Sequence, residues 1–91
     1  MKSIHLELYV LKGAPDSQQA LSVFQEVCSM LGERCVYRVI DVASSAEETL
    51  KAGILVTPTL IKRCPEPTKR IIGRLQDPSQ VLSMLGIEEV A

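Results

Sequence analysis

The sequence reads as a single α/β domain spanning residues 1–91, with its elements in the order βαβαββα. Three observations predict that order. A strand pattern, a helix pattern and a second, β-branched strand pattern follow one another over residues 4–42, which makes a βαβ unit. Two short apolar runs, Leu60-Ile61 and Arg70-Ile71-Ile72, flank a loop holding Pro65 and Pro67, as the arms of a hairpin would. Asp77-Pro78 then opens a last segment with Val81, Leu82 and Leu85 at helical spacing.

The elements follow in turn. Over residues 4–11, Ile4, Leu6, Leu8 and Val10 share one face of a strand, and Tyr9 and Leu11 add apolar surface to the other, so a central strand covered on both sides is expected. Lys12-Gly13-Ala14 turns the chain. Pro15 suits a first helical turn because its missing N–H would lack a partner there anyway, and Asp16 complements the helix dipole. Ala20, Leu21, Phe24, Val27, Cys28 and Leu31 then recur at helical spacing until Gly32. Residues 36–42 are β-branched and mostly apolar, and a right-handed crossover would pair them parallel to the first strand.

Ser44 and Ser45 each stand three residues before a glutamate, Glu47 and Glu48, which offers a capping box to a short helix running to Gly53. Beyond it comes Val56-Thr57-Pro58-Thr59-Leu60-Ile61-Lys62. Proline donates no ladder hydrogen bond, so Pro58 marks a strand entrance or edge. X-Pro bonds tolerate the cis form, and Pro58, Pro65 and Pro67 therefore give this half of the chain a choice of backbone arrangements separated by slow isomerisation. Asp77 and Pro78 start the last helix and Gly86 ends it.

The βαβαββα order is the thioredoxin-like arrangement, and a proline before the third strand fits it. The chemistry of that arrangement is missing. Where a thioredoxin presents two cysteines at the start of its first helix, this chain has Lys12-Gly13-Ala14-Pro15-Asp16-Ser17, with no thiol to attack a disulfide.

Composition narrows the function classes. Hydrophobic residues make up 46% of the chain, enough for one core. No apolar run approaches the ~20 residues that cross a bilayer, and the amino terminus lacks the pattern of a secretory signal. A cytoplasmic protein is expected. Cys28, Cys35 and Cys64 show neither C-x-x-C nor zinc-ligand spacing, so no disulfide and no metal is assigned; Cys28 reads as a small buried hydrophobe. His5 alternates with Ile4 and Leu6 as an ordinary strand residue. Glu47 and Glu48 are adjacent and point apart on a helix, no glycine-rich phosphate loop exists, and Asp41 suits a loop-entry hydrogen bond. The chain reads as a non-enzyme without a cofactor.

Charge is unevenly spread. Net charge is −1, yet Lys62, Arg63, Lys69, Arg70 and Arg74 fall within thirteen positions whose single acid is Glu66. Such a stretch either protects a sheet edge from aggregation or offers an electropositive face to an acidic partner. Nucleic acid fits poorly, because the pI is about 5.8 and the stretch has no aromatic side chain on which a base would stack.

Leu8-Tyr9-Val10, Pro15-Asp16-Ser17, Val39-Ile40-Asp41-Val42, Thr57-Pro58-Thr59-Leu60 and Arg70-Ile71-Ile72-Gly73 occur in the order and rough spacing of the KaiB family of circadian clock proteins. The chain resembles that family from about Leu6 to Leu82. The resemblance implies a single KaiB-like domain that binds the hexameric clock ATPase KaiC and modulates its phosphorylation state or output. It also implies two folds of one sequence: a homotetrameric ground state of order βαββααβ, and a thioredoxin-like state that binds KaiC. The rebuilt half would begin near Lys51 and include Pro58, Pro65 and Pro67. By the same resemblance Lys62, Lys69 and Arg70 align with basic positions near the KaiC-binding surface, and Arg38 with a basic residue used for downstream partners.

The chain departs from the family in places. Gly53 stands where many members have lysine, Gln19 where arginine is common, and Gly73-Arg74-Leu75 where the family has Gly-Asp-Leu. The charge reversal at Arg74 and the short tail Ile87-Glu88-Glu89-Val90-Ala91 favour the thioredoxin-like state over the ground-state alternative. Two other readings compete: a thioredoxin-like interaction module similar to the sensor domain of the clock kinase SasA, and a stress-response or redox protein using Cys35 or Cys64 alone.

Overall fold

The computed structural model describes residues 3–87. Strand β1 (Ile4–Val10) leads into helix α1 (Pro15–Leu31), a 3-10 turn (Gly32–Arg34), strand β2 (Cys35–Asp41), helix α2 (Ala46–Lys51), the hairpin β3 (Thr59–Cys64) and β4 (Lys69–Ile72), and helix α3 (Pro78–Met84). This is the βαβαββα order expected from the sequence. The sheet runs β2-β1-β3-β4, with β1 parallel to β2 and antiparallel to β3, and β3 antiparallel to β4.

The apolar pattern of each segment explains its place. Ser17, Ala20, Val23, Phe24, Val27 and Leu31 form the buried stripe of α1, and Gly32 ends it at φ 62°, a left-handed conformation that side chains disfavour. That stripe packs with Val81 and Leu82 of α3, and with Leu85 just after it, against Leu6, Leu8, Leu60 and Ile71 of the sheet. The opposite face holds a smaller cluster of Tyr9, Ile40, Ile61 and Ala52. Strand β1 is therefore covered on both sides only in its second half: Tyr9 is buried there, whereas His5 is exposed. The short α2 buries none of its own side chains, and the residues after it, Ala52 and Ile54, supply the apolar contact.

Local details refine the sequence reading. The expected capping box does not form; no side chain caps α2, Ser44 hydrogen-bonds to Asp41, and Glu48 reaches across to Arg38. An ionised arginine fork outcompetes a backbone N–H for the same carboxylate. Asp77 likewise makes no side-chain cap, although Pro78 does open α3. Pro58 stands buried at the entrance of β3, an inner strand, and the Thr57–Pro58, Cys64–Pro65 and Glu66–Pro67 peptide bonds are cis. Tail residues 88–91, which weighed in the expected balance between folds, lie outside the described residues.

Candidate functional site

The loop between β1 and α1 is tied down by polar contacts. Leu11 N–H donates to the buried Ser17 Oγ at 2.9 Å, while Asp41 Oδ1 accepts from Lys12 N–H at 3.4 Å and from Ala43 N–H at 3.3 Å. Asp41 thus serves the loop entry. With no cysteine between Lys12 and Ser17, this corner of the fold supplies no nucleophile for disulfide exchange.

The pleat divides the basic residues between two faces. Leu6 pairs with Lys62 and Lys62 with Lys69, so both lysines lie on the α1 and α3 side of the sheet, at its end. Glu7 pairs with Arg38 on one side and Ile61 on the other, and Ile61 with Arg70, which sets Arg38 and Arg70 in one cross-strand row on the α2 side. The five basic residues expected to share one surface therefore do not form a single face.

Their surroundings differ as much as their directions. Lys62 is only 3% exposed, and its ammonium donates to the Pro65 carbonyl at 2.8 Å. Burial is tolerable because the long stem packs along apolar surface while the charge keeps a hydrogen bond. Lys69 is exposed, and its Cε and Nζ lie where a side chain at Gly86 would extend. Arg70 is exposed and donates to the Ala52 carbonyl, joining β4 to the end of α2. Arg74 lies 4.0 Å from Asp16, with both side chains exposed.

Arg38 belongs to a network that the sequence did not disclose. Its Nη1 and Nη2 donate to Glu48 at 2.7 and 2.9 Å, and Nη1 stands 3.6 Å from Glu7. Glu7 Oε1 also accepts from Arg63 Nε at 2.9 Å and from the Tyr9 hydroxyl at 3.3 Å. The Glu48 bonds stabilise charged Arg38 and raise its pKa, and the same bonds lower that of Glu48. Glu7 does likewise for Arg63, while burial raises the Tyr9 pKa. Glu7 is the hub of this face. The sequence reading did not single it out; alternation with Leu6 and Leu8 gives its face of β1, but its opposition to Arg38 and Arg63 needs the strand order. Among the described residues, no group of three His, Cys, Asp or Glu side chains is placed to hold a metal ion.

What the surface presents is a row of charged groups held by a rigid sheet, with Leu50, Leu55, Val56 and Ile72 exposed nearby in sequence.

Solved structures place the fold. The chain superposes on chloroplastic thioredoxin z with a TM-score of 0.80, 16% identity, and coverage of 93% of this chain and 77% of that one. For mitochondrial thioredoxin 3 from Saccharomyces cerevisiae the TM-score is 0.77, with 10% identity and coverage of 94% and 79%. The fold is thioredoxin-like.

Relatives at higher identity carry a different name. The circadian clock protein KaiB3 of Synechocystis sp. is 38% identical over 88 residues, covering 96% of this chain and 86% of that protein. The circadian clock oscillator protein KaiB of Prochlorococcus marinus strain NATL2A is 40% identical over 82 residues, covering 89% and 77%. The family model described as the KaiB domain matches residues 7–87. On these matches, the chain belongs to the KaiB family of circadian clock proteins.

Proposed function

We propose that this protein is a non-enzymatic docking regulator, which binds a KaiC-like hexameric ATPase and modulates its phosphorylation state or output. The observation that carries the reading is the family match over residues 7–87 on a thioredoxin-like fold whose first-helix loop has no thiol. Lys69 and Arg70, exposed on the two sides of the edge strand β4, are the contacts for the acidic partner surface, buried Lys62 supports them by bracing the Pro65 turn, and Arg38 on the other edge strand is kept for downstream partners. The half beginning near Lys51, with Pro58, Pro65 and Pro67, is the part rebuilt in a second, tetrameric arrangement; that element of the proposal rests on family membership. A cytoplasmic site of action accords with it, and no helix among the described residues is long and apolar enough to cross a membrane.

The test is a pull-down with a purified KaiC-like ATPase in the presence of ATP, comparing the wild type with a Lys69→Glu, Arg70→Glu variant. Retention of the wild type and loss of the variant is expected. Equal recovery of both would move the interface away from β4, and failure of the wild type to bind would remove the proposed partner.

A further inference from the structure

Two of the three cysteines meet at the far end of α1 from the thioredoxin-type loop. Cys28 lies in the last turns of α1 and Cys35 opens β2, and the Gly32 turn between them brings their Sγ atoms to 3.6 Å. Both are free thiols, half-buried, and packed against the rim of the main core. Cys28 also helps line a surface groove of about 340 Å³ with Leu21, Phe24, Gln25 and Tyr37, which gives solvent a route to its side of the pair.

We propose that Cys28 and Cys35 form a reversible dithiol–disulfide site, oxidised by exchange with a small-molecule disulfide of the glutathione type. A disulfide requires the sulfurs to close by about 1.5 Å to a bond of about 2.05 Å, a shift within the sweep of two cysteine side chains. The resulting loop would tie the end of α1 to the edge strand β2, beside Tyr37 and Arg38.

Both thiols sit in environments that disfavour the thiolate. Burial raises both pKa values, and the neighbouring Cys35 charge helps push Cys28 up to about 12, whereas a hydrogen bond from Cys28 partly offsets burial at Cys35. The thiolate of either cysteine attacks one sulfur of oxidised glutathione, forming a mixed disulfide and expelling one glutathione thiolate. The other cysteine then loses its proton to solvent, attacks the protein sulfur of that mixed disulfide, and expels the second. Two protein thiols are oxidised and one glutathione disulfide is reduced to two thiols. Raised thiol pKa values make the exchange slow at neutral pH and faster in alkali.

The experiment uses the full chain carrying Cys64→Ser, so that the exposed third thiol cannot react. After incubation with oxidised glutathione at about pH 8, where more thiol is ionised, intact mass should fall by two hydrogens and free thiols should vanish. Dithiothreitol should restore both. The oxidised form should also melt at a higher temperature, because the crosslink restricts the unfolded chain. A further Cys28→Ser change should halt the reaction at a glutathione adduct on Cys35. Two thiols that stay free, a stable adduct with Cys28 present, or a crosslinked dimer would each overturn the proposal.

Discussion

Arg38 and Glu48 face each other as a fork, with Nη1 2.7 Å from Oε2 and Nη2 2.9 Å from Oε1, so the edge strand β2 is tied to α2 by paired charge-assisted hydrogen bonds. Because α2 buries no side chain of its own, this fork and the Arg70 bond to the Ala52 carbonyl join the apolar contact of Ala52 and Ile54 in orienting it over the sheet. The residues proposed to contact a partner thus also hold the surface in shape.

That fork gives a pH dependence with a definite sign. The Glu48 carboxyl is held below its ordinary value by Arg38, so its stabilisation is complete above the unfolded-state value of roughly 4.3 and is lost as pH falls through the lower folded value. A carboxyl-carbon NMR titration of Glu48 should show a midpoint below that of a free glutamate. In Arg38→Ala the midpoint should rise. An unchanged midpoint would show that the fork does not persist in solution.

Lys62 and Lys69 are register partners, yet charge reversal should separate them. Lys62→Glu places a carboxylate in a buried position facing the Pro65 carbonyl, and should cost about 2 kcal/mol or more. Lys69→Glu, on an exposed side chain, should stay within about 0.5 kcal/mol of wild type. Urea unfolding of the two variants measures both. Similar losses would mean that Lys62 is not buried in the solution structure.

Much of the fold was legible because its signals are local. Helical spacing of Ala20, Phe24, Val27 and Leu31, the βαβ order and the hairpin prolines each need only a few neighbouring residues. The candidate site was legible only in part. Arg38, Lys62, Lys69 and Arg70 were named from the sequence, but which face each occupies depends on strand register, and a stretch of basic residues alternates across the pleat. Glu7 as a hub, and Cys28 beside Cys35, depend on contacts between elements that no spacing rule reports. The capping box failed for the same reason: Arg38, distant from α2 in sequence, claimed Glu48.

Phe24 anchors the larger core and meets Tyr37 edge to face, with ring centroids 5.7 Å apart. Phe24→Ala should cost about 3–5 kcal/mol through lost burial and the remaining cavity. A double-mutant cycle with Tyr37→Ala should give a coupling of about 0.5–1.5 kcal/mol for the aromatic pair. Strict additivity in denaturant unfolding would show that the ring contact contributes nothing beyond burial.

Arg70 complicates any charge-reversal test of binding, because its guanidinium also holds the Ala52 carbonyl at the end of α2. Arg70→Glu removes that donor and places a carboxylate near the carbonyl, so it should loosen the exit of α2 as well as alter the surface charge. The amides of Ala52 and Gly53, which close the last turns on Glu48 and Leu50, report that loosening directly. Their hydrogen exchange should quicken in Arg70→Glu and stay at the wild-type rate in Lys69→Glu. If Lys69→Glu alone weakens partner capture with those amides still protected, the loss belongs to charge at the interface. Capture lost only in Arg70→Glu, together with their protection, would assign it to the scaffold that positions α2.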